Sequence, residues 1–336
     1  MALATMAGHL GLLMLAWWAP RHLLPDTLTL HLAGKANVLA GLHRRLTDRV
    51  VIAGMLVPGV FWLEYLWMGW RDCSVRHLLV ERTPSARSDL SCFLLGLSPT
   101  LTLVTAGMSL GVVLLTGEWL RQLLVRAVGL NLSIVAEPRA LQTGVLLLLY
   151  SLFDYWSHRL DHSQAFWPLH RFHHAAEDFT VLTAGRTHPA VFTAVVGTTL
   201  PGLLLGSRPE AVADVGLIVM TLRLVVHSRI PSDFGWVGRW IVQSPLHHRQ
   251  HHSLHRLPAN LSLLPIWDRL FGTWREAPGG PMRIGVATPY RQGAWIAPDI
   301  WRDYCEFWGG VRRVVLGRAA RGASFLRMSC NPIRNG

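Results

Sequence analysis

Three histidine sets, far apart in the chain, place the strongest condition on any fold this sequence can adopt. The first is His158-Arg-Leu-Asp-His162, the second His170-Arg-Phe-His173-His174, and the third His248-Arg-Gln-His251-His252. Twelve of the 17 histidines fall between His158 and His255, so the clustering is not a matter of composition. On a helix, positions i, i+3 and i+4 share a face, so each set can aim its imidazoles at one point. Imidazole is the commonest side-chain metal ligand and suits iron, zinc, copper and nickel. So many convergent rings exceed the four places of a mononuclear tetrahedral site, which points to two metals held together. The fold must therefore bring the three sets to one place.

The remaining composition narrows the setting. The chain is 51% hydrophobic and only 15% charged, with mean hydropathy +0.29, too apolar for an ordinary soluble enzyme. Tryptophan (15) far exceeds tyrosine (5), which fits interfacial anchoring. The net charge of +12 comes almost wholly from arginines scattered among apolar stretches. That pattern excludes a nucleic-acid partner and favours anionic lipid headgroups. The four cysteines, Cys73, Cys92, Cys305 and Cys330, form no Cys-x-x-Cys pair and no disulfide framework.

Candidate membrane segments are 92–116, which carries no charged residue, 50–70, 141–156, 189–207 and 211–226. Residues 1–20 lack the basic start of a cleaved signal and read as a retained membrane segment. If 141–156 delivers the chain to one side, 189–207 and 211–226 form a hairpin that goes down and returns. All three histidine sets then meet at one membrane face. The expected fold class is all-α: an integral membrane helical bundle with a cytoplasmic-facing, His-rich di-metal cap. Its parts are N-terminal membrane helices and loops (1–140), a catalytic domain (141–275) and a basic membrane-surface tail (276–336).

The motifs around the histidines resemble those of the membrane-bound fatty acid hydroxylase and sterol desaturase superfamily. The pattern Asp154-Tyr-Trp-Ser-His158-Arg159-Leu-Asp-His162 matches its first box. Trp167-Pro-Leu-His170-Arg-Phe-His173-His174 matches the second, and Arg186-Thr-His188-Pro189 the element that follows it. Ser244-Pro245-Leu-His247-His248-Arg-Gln-His251-His252 matches the third. Asn260 with Trp267-Asp268-Arg-Leu-Phe271-Gly272-Thr273 matches the closing signature. The likeness covers roughly 144–274. Two positions depart from it: some members carry a histidine where Arg223 stands, and Leu261-Ser262 replaces the usual aromatic-Gly pair.

The resemblance implies a non-haem di-iron centre, with dioxygen as co-substrate, that hydroxylates a lipid. Carried over by position, the metal residues are His158, His162, His170, His173, His174, His188, His227, His248, His251 and His252. His188 and His227 remain open between ligand and outer partner, and Asp154 is the candidate to orient a ligand ring. Asp161 and Asp178 read as surface salt bridges, Arg159 and Arg186 as headgroup contacts or carboxylate partners, and Trp267, Asp268 and Phe271 as anchors of the cap. His9, His22, His31, His43 and His77 stand alone and read as ordinary polar residues; His247 and His255 adjoin the third set without belonging to its spacing. The chain has no flavin or nucleotide fingerprint and no iron–sulfur cysteine set, so a separate reductase or small electron carrier is expected. The expected setting is multi-pass, in a bacterial inner membrane. Desaturation by the same site is one alternative; a membrane metal-binding or transport protein is an alternative of another class.

One metal centre requires the segment pair between the second and third sets to make an even number of crossings, or none. Reporter tags placed after His174 and after Trp274 should report the same side, and tags on opposite sides would exclude a shared site.

Overall fold

The computed structural model describes residues 41–97, 134–193, 200–254, 258–277, 282–293 and 295–328, with parts of 11–39 and isolated positions between. Among the described residues the regular elements are helices apart from one antiparallel hairpin, in which β1 (Leu28–Leu32) pairs with β2 (Lys35–Leu39). Leucine alternates with Thr29 and His31 along β1, the period of a strand rather than a helix. One short hairpin beside these helices leaves the fold class all-α, as expected.

The helices are α1 (Leu42–Met68), α2 (Pro84–Leu97), α3 (Arg139–Asp161), α4 (Trp167–His174), α5 (Leu200–Leu205), α6 (Pro209–Val226), α7 (Gly235–Trp240), α8 (Pro245–His251), α9 (Pro265–Leu270) and α10 (Ala297–Met328). Proline is the first residue of α2, α6, α8 and α9. Its fixed φ suits a first helical turn, where its missing N–H costs nothing. Four of the chain's 19 prolines thus set helix starts, Pro245 that of the histidine-bearing α8.

Helices α1, α2 and α6 close around a 3-10 turn, Val181–Gly185, through Val57, Val60, Ala86, Val181, Leu182 and Leu224. Helix α3 packs on α5 and α6 through Leu146, Tyr150, Leu205, Val215 and Val219. Helix α10 packs on α4, with Phe307 against Leu169.

Buried charges staple these layers. Glu64, fully buried in α1, accepts hydrogen bonds from the Ser74 N–H (2.7 Å), the Ser74 hydroxyl (2.9 Å) and the Arg229 N–H (2.6 Å). Arg171 lies between two histidines of α4 and holds two carboxylates of α10: Asp303 at 2.7 Å and Glu306. Its partner Asp303 is fully buried and also accepts from the Tyr290 hydroxyl.

Among the described residues no helix is long and apolar enough to cross a membrane. The candidate segments 50–70, 141–156 and 211–226 lie in α1, α3 and α6. Most of 92–116, most of 1–20 and part of 189–207 lie outside the described residues. Charges interrupt the helices that are present: Asp214 of α6 pairs with Arg139 at the start of α3 (2.7 Å). Apolar side chains nonetheless stand exposed along α1, including Met55, Trp62, Leu66 and Trp67.

Removing the buried carboxylate of an ion pair costs most of its stabilisation, here leaving Arg171 only the half-exposed Glu306. Asp303→Ala should therefore lower stability by about 3 kcal/mol in denaturant unfolding. A loss under about 1 kcal/mol would show the pair to be screened as surface pairs are.

Candidate metal centre

The histidines come from helix ends. His158 sits in the last turn of α3 and His162 caps it; His170, His173 and His174 lie on α4. His227 caps α6, His248 and His251 lie on α8, and His252 caps α8. Ser244 starts α8 by accepting the His247 N–H on its hydroxyl.

Nine imidazoles converge in two groups, within each of which the ligand nitrogens lie within 4.8 Å of one another. One group is His158, His162, His170, His174 and His251; the other is His173, His227, His248 and His252. The expectation that each set aims at a single point holds for the first set only. A residue at i+4 leans about 40° to one side of residue i, and one at i+3 about 60° to the other. Accordingly the i,i+4 pairs His170/His174 and His248/His252 stay together, while His173 and His251 cross to the other group. The second and third sets therefore serve both groups, and the stacked His174 and His252 rings, 4.2 Å between centroids, join them.

The outer nitrogens are tethered. Nδ1 of His158 lies 2.6 Å from the Leu261 carbonyl, that of His251 2.8 Å from Ala259, that of His173 3.1 Å from Arg186 and that of His227 2.7 Å from Arg223. His248 Nδ1 lies 3.0 Å from Oε1 of Gln243, whose amide is oriented by its own N–H bond to the Asn260 carbonyl. Each of these partners is an acceptor, so each Nδ1 carries the proton and each Nε2 is left with a bare lone pair. Those lone pairs face one another. Nε2 of His227 lies 2.9 Å from that of His248 and 3.3 Å from that of His173. His252 is fully buried, and among the described residues neither of its ring nitrogens has a hydrogen-bond partner.

Burial, reinforced by the neighbouring rings, pushes His162, His170, His173, His174, His248, His251 and His252 well below the usual imidazole range. Burial also takes His227 down to about 3. Second protons are thus kept off the rings, and a cation is what the facing lone pairs accommodate. Neither group contains a carboxylate or a thiolate, a donor set that suits nitrogen-loving first-row metals rather than magnesium or calcium.

Other expected site residues take different places. His188 stands outside both groups: its Nδ1 accepts the Ala190 N–H and its Nε2 lies 2.9 Å from the Ile300 carbonyl. Asp154 meets no histidine; its Oδ1 accepts from Arg223 at 2.9 Å. Asp161 is not in a surface salt bridge. Its carboxylate lies 3.9 Å from His170 Nδ1, and burial pushes the group up to about 7. Asp178 does pair with a cation, Arg229, at 2.5 Å. Arg159 donates to the Tyr155 hydroxyl, and Arg186 forms a buried pair with Asp89. Trp267, Asp268 and Phe271 anchor the cap as expected, with Asp268 accepting the Leu261 and Ser262 N–H groups at 2.8 Å. His247 packs on Trp274 outside both groups, and His255 lies outside the described residues. Gln243 and the carbonyls of Ala259 and Leu261 are the parts that sequence reading missed; Gln243 precedes the α8 cap with no periodic signal, and a carbonyl carries no residue signature.

A cavity of about 190 Å³ opens beside the rings, lined by His158, His170, His173, His227 and His248 together with Asp154. The fold and site define a helical protein with two adjoining all-histidine groups that could hold metal ions, next to a cavity. Residues 143–273 match the fatty acid hydroxylase family. Ornithine lipid hydroxylase OlsE of Rhizobium tropici is 29% identical over 147 residues, 42% of this chain and 44% of that protein. Alkylglycerol monooxygenase of Xenopus tropicalis is 30% identical over 125 residues, and that of Danio rerio 31% over 126, each spanning 36% of this chain and 27% of the relative. The chain thus matches less than half the length of these curated relatives, and no solved structure matches it.

Outer partners that hold a ligating ring typically contribute 10–100-fold to metal affinity. Gln243→Leu, which frees the His248 ring, should weaken one of two metal-binding events by about that factor in a chelator competition titration. Equal weakening of both events, or of neither, would contradict the assignment of His248 to one group.

Proposed function

We propose that this chain is a lipid hydroxylase, an oxidoreductase that uses dioxygen and electrons from a separate carrier to oxidise a C–H bond of a lipid. The observation that carries the reading is the pairing of two buried imidazole groups, five of whose rings are tautomer-fixed, with an adjoining cavity partly walled by apolar side chains. The nine converging histidines would hold two metal ions, five rings on one and four on the other. Iron, when bound, supplies the oxidising power that side chains lack for an unactivated C–H bond.

The chain's own residues do the rest. The carbonyls of Leu261, Ala259, Arg186 and Arg223 and the Gln243 amide hold five of these rings with the lone pair inward. Burial keeps these rings unprotonated at neutral pH. The cavity wall includes Leu169, Val226, Leu261 and Leu263, an apolar lining suited to a hydrocarbon. The exposed tryptophans and leucines of α1 would seat the molecule in a bilayer, from which a lipid tail reaches the centre without crossing water. The relatives, an ornithine lipid hydroxylase and an alkylglycerol monooxygenase, are named for this reaction class. A transport reading would want ligands spread along a path, whereas all nine rings are pooled in one place.

Chain purified from iron-replete cells should contain about two iron atoms, one for each histidine group. Lipid extracts from cells with the protein should contain a species one oxygen heavier than extracts without it. His173→Ala and His251→Ala should each abolish that product and lower the metal content. His43→Ala, which lies near Asp26 and in neither group, should not. A single tightly held zinc, with no activity after iron reconstitution, would overturn the reading.

A further inference from the structure

Besides the cavity beside the histidines there is a second one, of about 440 Å³, between α3 and α6. Its walls include Phe93, Leu146, Val215, Val219 and Met220, and Arg223 is the single charged residue among its lining residues. Arg223 and Ala184 line both cavities, so this guanidinium stands where the apolar cavity meets the histidine cavity.

Two helix rows lead through that junction. On α3 the positions Leu146, Tyr150, Asp154 and His158 follow one another at i+4, and on α6 so do Val215, Val219, Arg223 and His227. Residues four apart lie on one helix face. Each row therefore runs from apolar wall to polar group to histidine, and the polar groups of the two rows meet. Arg223 Nη2 donates to the Tyr150 hydroxyl at 3.2 Å and to Asp154 Oδ1 at 2.9 Å.

This cluster leaves donors to spare. A guanidinium has five N–H groups, and only Nη2 of Arg223 has partners among the described residues. The same chain shows what a filled fork looks like: Arg171 holds Asp303 and Glu306 together. Arg223 holds one carboxylate and faces cavity on two sides. The nine neighbouring imidazoles bring no negative charge of their own.

We infer that Arg223 is a specificity-determining residue that binds the oxyanion head, carboxylate or phosphate, of an amphiphilic substrate whose tail occupies the apolar cavity. Asp154 and Tyr150 hold the guanidinium in place and leave Nε and Nη1 for the ligand. His227 lies one helical turn, ~6 Å, from Arg223, so carbons near the polar end of the lipid come closest to the imidazoles. The inference gives the lipid-oxidation reading a substrate class and rests on it, but its test is a binding measurement without turnover. Failure of the headgroup preference therefore leaves lipid oxidation standing, and failure to oxidise leaves the preference measurable.

The experiment uses the full chain purified in detergent and a set of probes with one tail and different heads. Dodecanoate, dodecyl phosphate, dodecanol and dodecyltrimethylammonium compete against a fluorescent twelve-carbon ligand. Wild type should favour at least one of the two oxyanions over dodecanol by ~10-fold or more, the order expected for charge-assisted hydrogen bonds, and should bind the ammonium most weakly. Which oxyanion binds better separates a carboxylate head from a phosphate head. Arg223→Met should remove the preference while changing dodecanol affinity less than ~3-fold, and Arg223→Lys should keep part of it. Metal content of both variants reports the fold, because the backbone carbonyl of Arg223, not its side chain, holds His227. If Arg223→Met fails to fold, the wild-type series and Arg223→Lys decide alone. Equal binding of oxyanion and alcohol by wild type, a preference for the ammonium, or an unchanged preference in Arg223→Met would overturn the assignment.

Discussion

Facing lone pairs are the constraint on which this molecule is built. A neutral imidazole carries one proton, and in five rings that proton is committed to an oxygen on the outer side. The inner nitrogens then stand within hydrogen-bond distance of one another with no hydrogen to share, as in the 2.9 Å contact of His227 with His248. Such contacts repel unless a cation lies among them. Protonating the rings is disfavoured by their burial and by one another, so a metal ion is the partner that the arrangement suits.

The rest of the fold keeps those oxygens in place, and it does so with buried polar staples. Asp268 binds the backbone N–H groups of Leu261 and Ser262, which positions the Leu261 carbonyl behind His158. Asn260, in the left-handed region at φ 54, donates to Gln250 and to the Arg275 carbonyl while its own carbonyl orients Gln243. Asparagine is among the few non-glycine residues that tolerate this conformation. Arg186 serves twice: its carbonyl holds His173, and its guanidinium is fixed by Asp89 of α2. The N-terminal helices are thereby tied to the histidine centre by hydrogen bonds as well as by apolar packing.

The sequence made the histidine centre legible because metal ligation needs particular side chains at helical spacing, and such spacing survives in one dimension. Nine of the ten expected metal residues meet in the two groups. The tenth, His188, shares the local motif context but turns both nitrogens to backbone groups. The split of each later set between the groups follows from the offset of i+3 and i+4, which a reading by shared face passes over. The tethering carbonyls were invisible because every residue has one. Arg223 was visible only as a departure from a pattern, and its contact with Asp154 joins residues 69 positions apart. The helices were legible from apolar runs, and Glu64, Asp214 and Arg223 break the apolar length of α1 and α6, so that no described helix is long and apolar enough to cross a membrane.

The most direct test of the central claim is the position of bound iron. A crystal or cryo-cooled lipid-phase structure of the iron-loaded chain, with diffraction recorded at the iron absorption edge, locates each ion independently of any assignment of ligands. The account predicts two anomalous peaks, one among His158, His162, His170, His174 and His251 and the other among His173, His227, His248 and His252. A single peak, or peaks held by other residues, would contradict it.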